Sequence, residues 1–203
     1  MASADSVVVL DFETTGLSPD CGDCAIEIGA VRIKDGVVVE RFQKLMNPGF
    51  KISRFIEGFT GITNEMLSDA APCADVIHQF ADFLGYDNLV AHNASFDKRF
   101  LEAELAKISR TYMGQFVCSM LLARRIYQKA PNHKLGSLVD YLDIPSDGVY
   151  HRALYDSEMT AKLWLAMLNQ IEERYEISSI PYSLVQQVAT TSKKSVHGFL
   201  KNW

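Results

Sequence analysis

Two carboxylates, Asp11 and Glu13, sit two residues apart where the apolar run Val7-Val8-Val9-Leu10 gives way to Thr14-Thr15-Gly16. Side chains alternate along a strand, so positions i and i+2 project from one face. Two acids at the carboxyl end of a buried strand are the start of a cation site, although a D-x-E pair on its own is more often a solvated loop. A further acid, Asp97, closes the segment His92-Asn93-Ala94-Ser95-Phe96-Asp97. It falls in the first turn of a helix that follows a strand, where the helix dipole and free N–H groups favour the ionised carboxylate by a few tenths to about 1 kcal/mol. The last cluster is His151-Arg152-Ala153-Leu154-Tyr155-Asp156. Five residues round a helix come to roughly 140° beyond one turn, which would point two helical side chains apart. The spacing therefore predicts His151 in the loop entering a helix and Asp156 inside its second turn, with the imidazole leaning over a floor that includes Asp156.

Each cluster alone reads as ordinary surface polarity; their combination does not. Oxygen ligands spread over a strand end and two helix starts suit Mg²⁺ or Mn²⁺, which prefer carboxylates and water. Asp11, Glu13, Asp97 and Asp156 carry enough charge for two such ions about 3.5–4 Å apart. A neutral His151 beside them could take a proton from attacking water, an effect worth typically about 10²–10⁴-fold. Two divalent cations and a base describe in-line hydrolysis of a phosphodiester.

The elements that must position these groups are legible in outline. Val7-Val8-Val9-Leu10 reads as a strand buried on both faces. Two β-rich stretches, Ala25 to Ile33 and Val37 to Met46, flank Lys34-Asp35-Gly36, and Asp-Gly between such runs signals a hairpin. The first three strands are expected to form an antiparallel meander. From Ala74 to Leu84 the apolar residues Val76, Ile77, Phe80, Phe83 and Leu84 have the spacing of a helix with one buried face. Asn88 to His92 reads as a fourth strand, and Asn93 offers an N-cap for a helix reaching about Ile108. Met120 to Gln128 and Leu135 to Leu142 read as short helices and Ala153 to Tyr175 as a long one. The expected fold is α/β, a mixed sheet of antiparallel meander plus parallel strands with helices on both faces. Residues 1–175 are expected to form the catalytic domain, and 176–203 a helical tail with no assigned role.

The 203 residues suffice for one domain of ordinary size. With 48% hydrophobic and 22% charged residues, the composition excludes wholesale disorder and fibrous classes. No apolar run approaches the roughly 20 residues that span a bilayer, and the start lacks the features of a secretory signal. Four cysteines are too sparse for a disulfide framework, so reduced thiols in a cytoplasmic protein are expected. The net charge of −5 argues against a protein that grips nucleic acid through its whole surface field. Any polyanion must be held by a local site, and cations at the acids would answer the scissile phosphate.

Asp11-Phe12-Glu13-Thr14-Thr15-Gly16-Leu17, His92 to Asp97 and His151 to Asp156 together resemble the three ordered exonuclease motifs of the DEDDh family. Its members include the proofreading epsilon subunit of bacterial replicative polymerase and ribonuclease T. The resemblance runs from about Val7 to Tyr175 and implies a ribonuclease-H-like fold. It also implies removal of nucleotides from 3′ ends with two Mg²⁺ or Mn²⁺ ions. On the matching positions Asp11, Glu13, Asp97 and Asp156 would be metal ligands and His151 the general base. The sister class carries a Tyr four residues before the last Asp; Arg152 stands there, so the His class fits. The family further implies that Thr14, Thr15 and Gly16 contact the terminal nucleotide, with Leu17 and Phe96 against its base or sugar. Thr60-Gly61-Ile62-Thr63 resembles a second-loop element of the family, which would set Ile62 on the terminal base.

DNA is the expected substrate, RNA 3′-end trimming the alternative, and a non-catalytic nucleic-acid-binding or polymerase-accessory subunit the reading from another class. Homodimerisation and polymerase association are open from the sequence, and no membrane partner is expected. Cys21-Gly22-Asp23-Cys24 lacks the further ligands of a zinc site. Glu27, an acid within the apolar Ile26-Glu27-Ile28, is expected to be tied by hydrogen bonds. His92 is expected to orient its strand end without ligating metal.

Overall fold

A computed structural model describes residues 2–146 and 151–203. Its five-stranded sheet runs in the order β3-β2-β1-β4-β5. Strands β1 (Val7–Thr14), β2 (Ala25–Lys34) and β3 (Val37–Leu45) form the expected antiparallel meander, turned at Asp35 and Gly36, both in the left-handed region. Strands β4 (Leu89–Ala91) and β5 (Phe116–Cys118) add parallel to β1. Sequence periodicity missed β5, which at three residues is too short to display a period.

Strand β1 divides the molecule by alternation. Val8, Leu10 and Phe12 enter one core with α3 (Cys73–Leu84) and α4 (Ser95–Lys107). Val7 and Val9 enter the other, with α5 (Ser119–Ile126), α6 (Leu135–Tyr141) and α7 (Ala153–Tyr175). Asp11 and Glu13 continue the odd-numbered stripe, so both carboxylates emerge on the α7 side where the apolar run ends. Two short helices, α1 (Arg54–Thr60) and α2 (Asn64–Ser68), were not expected from periodicity. Ser53 and Thr63 cap them by accepting from Ile56 N and Met66 N, and Ile52, Ile62 and Leu67 bury against Ile26.

Residues after α7 are woven into the second core. Helix α8 (Tyr182–Thr190) buries Tyr182, Leu184, Val185 and Val188, and α9 (Val196–Lys201) buries Val196 and Leu200. The Tyr182 hydroxyl donates to Leu89 O at 2.6 Å, tying this segment to β4. Trp164 of α7 donates to Ala4 O at 2.7 Å, and Ala4 N to Ile180 O at 2.9 Å.

The position that sets α7 is Gly29 of β2, which pairs with Asp11. A Cβ at Gly29 would lie 2.0 Å from Leu154 N and 2.1 Å from the Ala153 carbonyl carbon. The start of α7 thus rests directly on the β2 backbone, and Ser157 Oγ donates to Gly29 O at 2.9 Å. Because both clashing atoms are backbone, Gly29→Ala should destabilise the fold by about 3 kcal/mol, read as a lowered midpoint in urea unfolding.

Candidate active site

The site is built at the carboxyl ends of β1 and β4. Parallel pairing of these strands brings their ends to one edge of the sheet, so the helix after β4 starts beside Asp11 and Glu13. Asp97 lies in the first turn of α4, as expected, and its Oδ1 accepts from Phe12 N at 3.2 Å across 85 residues of sequence. Asn93 is not the helix cap: Ala94 occupies that position, and Asn93 takes a left-handed turn with φ of 69°. Asn tolerates that region better than most residues, which explains its place at the sharp exit from β4.

The third segment is anchored by Glu27, which pairs with Glu13 across β1 and β2 and is wholly buried. Glu27 accepts from Arg152 Nη2 at 2.8 Å and Nε at 3.1 Å, from Ala153 N at 3.1 Å, and from Gln43 Nε2 at 2.9 Å. A fully buried carboxylate with a two-pronged guanidinium and a helix N-terminal N–H is a satisfied charge. It clamps the first residue of α7 in place. Asp156 then falls in the first turn of α7, one turn earlier than expected, and its Oδ2 accepts from His151 N at 3.0 Å. His151 lies just outside the helix with φ of 69°, its side chain exposed.

Donor atoms of Glu13, His151 and Asp156 all lie within 4.8 Å of one another. Asp156 Oδ1 is buried and has no hydrogen-bond partner among the described residues. An orphaned, buried carboxylate oxygen among oxygen donors fits a hard divalent cation. The electrostatics agree. Burial pushes the Glu13 carboxyl up to about 8, helped by the charges of Asp156 and Glu27. Burial raises Asp97 to about 7 against the opposing Phe12 N–H, and Asp156 to about 6 against the N–H of His151. Asp11 is held well above the usual carboxylate range by burial, then by Asp97, Glu13 and Asp156. These acids are crowded beyond what water alone would tolerate, and a dication removes the conflict.

The loop after β1 is fixed by its own polar groups. Thr14 Oγ1 donates to Gly16 O at 2.6 Å, and Thr15 Oγ1 accepts from Cys24 N at 3.0 Å. A Cβ on Gly16 would lie 2.3 Å from Asp23 Oδ1, so a larger residue would displace the side chain that accepts from Ser18 N. Leu17 is thereby presented at 78% exposure. Phe96 is half-buried, its ring 4.9 Å from that of Phe100. Ile62 departs from expectation: it is fully buried against Ile26, Ile52 and Leu67, so its side chain belongs to the core and not to a nucleotide-facing surface.

Two residues escaped the sequence reading. Phe55 and Phe59 of α1 are 75% and 50% exposed, their rings near-parallel with centroids 6.1 Å apart. The Phe59 ring lies 4.2 Å from that of His151. The i,i+4 spacing of two aromatics between Ser53 and Gly61 was the available signal. His92 behaves as expected, contacting Ser119 Oγ at 3.0 Å and His133 O at 2.9 Å, with burial lowering its pKa to about 4. The cysteines, including Cys21 and Cys24, are all free thiols.

An exonuclease family model matches residues 8–164. The DNA polymerase III PolC-type of Bacillus subtilis (strain 168) is 40% identical over 172 residues, and that of Oceanobacillus iheyensis 42% over 176. These alignments cover 84% and 86% of this chain but only 12% of each polymerase. Among solved structures, exonuclease X in complex with 5′ overhanging duplex DNA matches with a TM-score of 0.70 and 28% identity, covering 90% of this chain and 99% of that one. The nuclease domain of 3′hExo, a DEDDh family member bound to rAMP, shares the fold at 22% identity, with a TM-score of 0.70 over 81% of this chain and 92% of that one. The chain belongs to the exonuclease family, and its ribonuclease-H-like domain is of the DEDDh 3′–5′ type. No helix among the described residues is long and apolar enough to cross a membrane.

The raised acid pKa values have a consequence for stability. Without metal the folded state keeps protons that the unfolded chain releases near its ordinary values around pH 4, so the folded state binds more protons in between. Stability is therefore greatest at the acid end of that window. It falls as pH rises, until the folded groups have titrated near about 8. Chelator-treated protein should lose about 5 °C or more of melting temperature between pH 5 and 8. Mg²⁺ or Mn²⁺ should restore most of it at pH 8 and little at pH 5, as measured by thermal scanning.

Proposed function

We propose that this chain removes nucleotides one at a time from DNA 3′ ends, releasing nucleoside monophosphates. The observation that carries the reading is the convergence of Asp11, Glu13, Asp97, Asp156 and His151 at one sheet edge, with the Asp156 oxygen left unpartnered. DNA is favoured over RNA because the relatives most similar in sequence are DNA polymerases and one structural relative was solved on DNA. Asp11, Glu13, Asp97 and Asp156 would hold two Mg²⁺ or Mn²⁺. When bound, these cations would neutralise charge on the scissile phosphate and ease ionisation of the attacking water.

The remaining work falls to the protein. An imidazole nitrogen of His151 accepts the proton of the attacking water as oxygen adds to phosphorus. The bond from phosphorus to the 3′ oxygen breaks, and that oxygen takes up a proton to leave a new 3′ hydroxyl. The His151 backbone is fixed on Asp156 Oδ2, and Phe59 supports the ring from α1, making Phe59 a positioning residue. Thr14, Thr15 and Gly16 shape the loop against the terminal nucleotide, with Leu17 and Phe96 as its apolar contacts. Glu27 and Arg152 act through α7, holding Asp156 to β1.

Digestion of 5′-labelled single-stranded DNA and RNA of one sequence, with Mg²⁺, Mn²⁺ or chelator, tests the reading. A metal-dependent ladder shortening from the 3′ end, faster on DNA, is expected. Asp11→Ala, Asp97→Ala and Asp156→Ala should abolish it, and His151→Ala should slow it by about 10²–10⁴-fold while retaining metal-induced thermal stabilisation. Substantial activity in Asp11→Ala would refute the two-cation assignment. Phe59→Ala should lower kcat by about tenfold with KM little changed, and Phe59→Tyr should recover it.

A further inference from the structure

A second charged feature lies away from the acids. A cavity of about 530 Å³ opens between the C-terminal end of α5, the far end of α7 and the start of α9. Its wall carries Arg125, Lys129, Arg174, Lys193, Lys194 and His197, and no Asp or Glu. The first five make up a quarter of the 20 lysines and arginines in a chain of net charge −5. Elsewhere Arg32, Arg41, Lys98, Lys107, Arg110 and Arg152 are matched by carboxylates, whereas none of the five cavity cations has an ion pair among the described residues. Like charges gathered round one hollow without counter-charges repel one another, and an anion relieves that repulsion.

The shape of the site indicates which anion. Lys129, Arg174, Lys193 and Lys194 are exposed, on long arms carried by separate segments, so the cations are spread round a rim and not focused on one buried point. A single small phosphate would be served better by convergent, partly buried donors. Several phosphates along a flexible strand suit a spread rim, and aromatic faces add to such sites. Tyr141 is exposed, Tyr175 is half-buried, and the Arg174 guanidinium lies 5.6 Å over the Tyr175 ring. Helix α7 joins this cavity to the acids, because Asp156 stands in its first turn and Arg174 near its end. Eighteen residues at 1.5 Å each separate the two by about 27 Å along the helix. That is well beyond the screening length of about 8 Å, so the cations act by contact on a distant part of the same substrate.

We propose that the cavity is a distal phosphate-binding site that holds the 5′-ward part of a single-stranded nucleic acid whose 3′ end occupies the acidic site. The proposal rests on the exonuclease reading and adds a second foothold, to which the 176–203 segment supplies Lys193, Lys194 and His197. The test compares the full-length chain with its Lys193→Ala/Lys194→Ala variant and with Lys34→Ala/Lys44→Ala, an equal charge change on the exposed meander. With Mg²⁺, the cavity variant should show KM for a DNA dodecamer raised about tenfold with kcat unchanged, and unaltered kinetics on a dinucleotide. In chelator, where no cleavage is needed, anisotropy should show weaker dodecamer binding, and the slope of log Kd against log salt should fall by about two. The binding measurement stands whether or not the chain cleaves, so the two readings fail separately. Dodecamer binding equal to that of the unaltered chain would overturn the proposal. It would also be overturned if calorimetry showed the double variant losing inorganic phosphate or a mononucleotide while keeping the dodecamer, assigning the cavity to a small anion.

Discussion

The close seating of α7 on β2 governs the geometry of the acidic site. Two carboxylates from one strand are easily placed, because alternation along β1 puts Asp11 and Glu13 on one face without further help. The distant acid is harder: Asp156 must be carried in by a helix that follows more than a hundred residues of intervening chain. Gly29 removes the side chain that would hold that helix away, and Glu27, two residues earlier on the same strand, binds its first N–H and the preceding guanidinium. Because Glu27 and Gly29 pair with Glu13 and Asp11, the strand that receives the helix and the strand that bears the acids are locked in register. Burying Glu27 is tolerable only because four donors meet it, so this charge serves placement more than stability.

Much of this was legible in the sequence, and the residues explain why. The three motifs state their residue types openly, and Asp11, Glu13, Asp97 and Asp156 needed only a fold to converge. The meander followed from Asp35-Gly36 between two apolar stretches, and α7 from its long period. What escaped were short or context-made features. Strand β5 is too brief for alternation, and α1 and α2 depend on caps at Ser53 and Thr63 more than on an apolar stripe. The depth of Ile62 was invisible because a lone isoleucine looks the same whether it lines a groove or fills a core. Phe59 was missed because its importance lies in a neighbour, His151, that is distant in sequence. The clamp at Glu27 was half-legible: a buried acid demands partners, but nothing in the spacing names Arg152.

The distribution of charge separates two jobs. Acids collected at the sheet edge create a region hostile to phosphate until cations arrive, while the unpaired lysines and arginines lie at the opposite end of the longest helix. A chain with a single evenly basic surface would hold nucleic acid without distinguishing its end from its middle. Here recognition of the terminus and retention of the strand fall to different surfaces with different requirements.

A β-bulge between Glu13 and Thr14 ends the β1–β2 ladder just beyond the second carboxylate. Its extra residue pins the pairing, since sliding β1 by one position would have to carry the irregularity along. Such a slide would turn Asp11 and Glu13 into the apolar core beside Phe80 and set Leu10 and Phe12 against the start of α7. The error would therefore cost burial and hydrogen bonding at once. Assembly of the sheet and assembly of the acid cluster are the same event, and a mispaired chain would be too unstable to persist as a partly active nuclease.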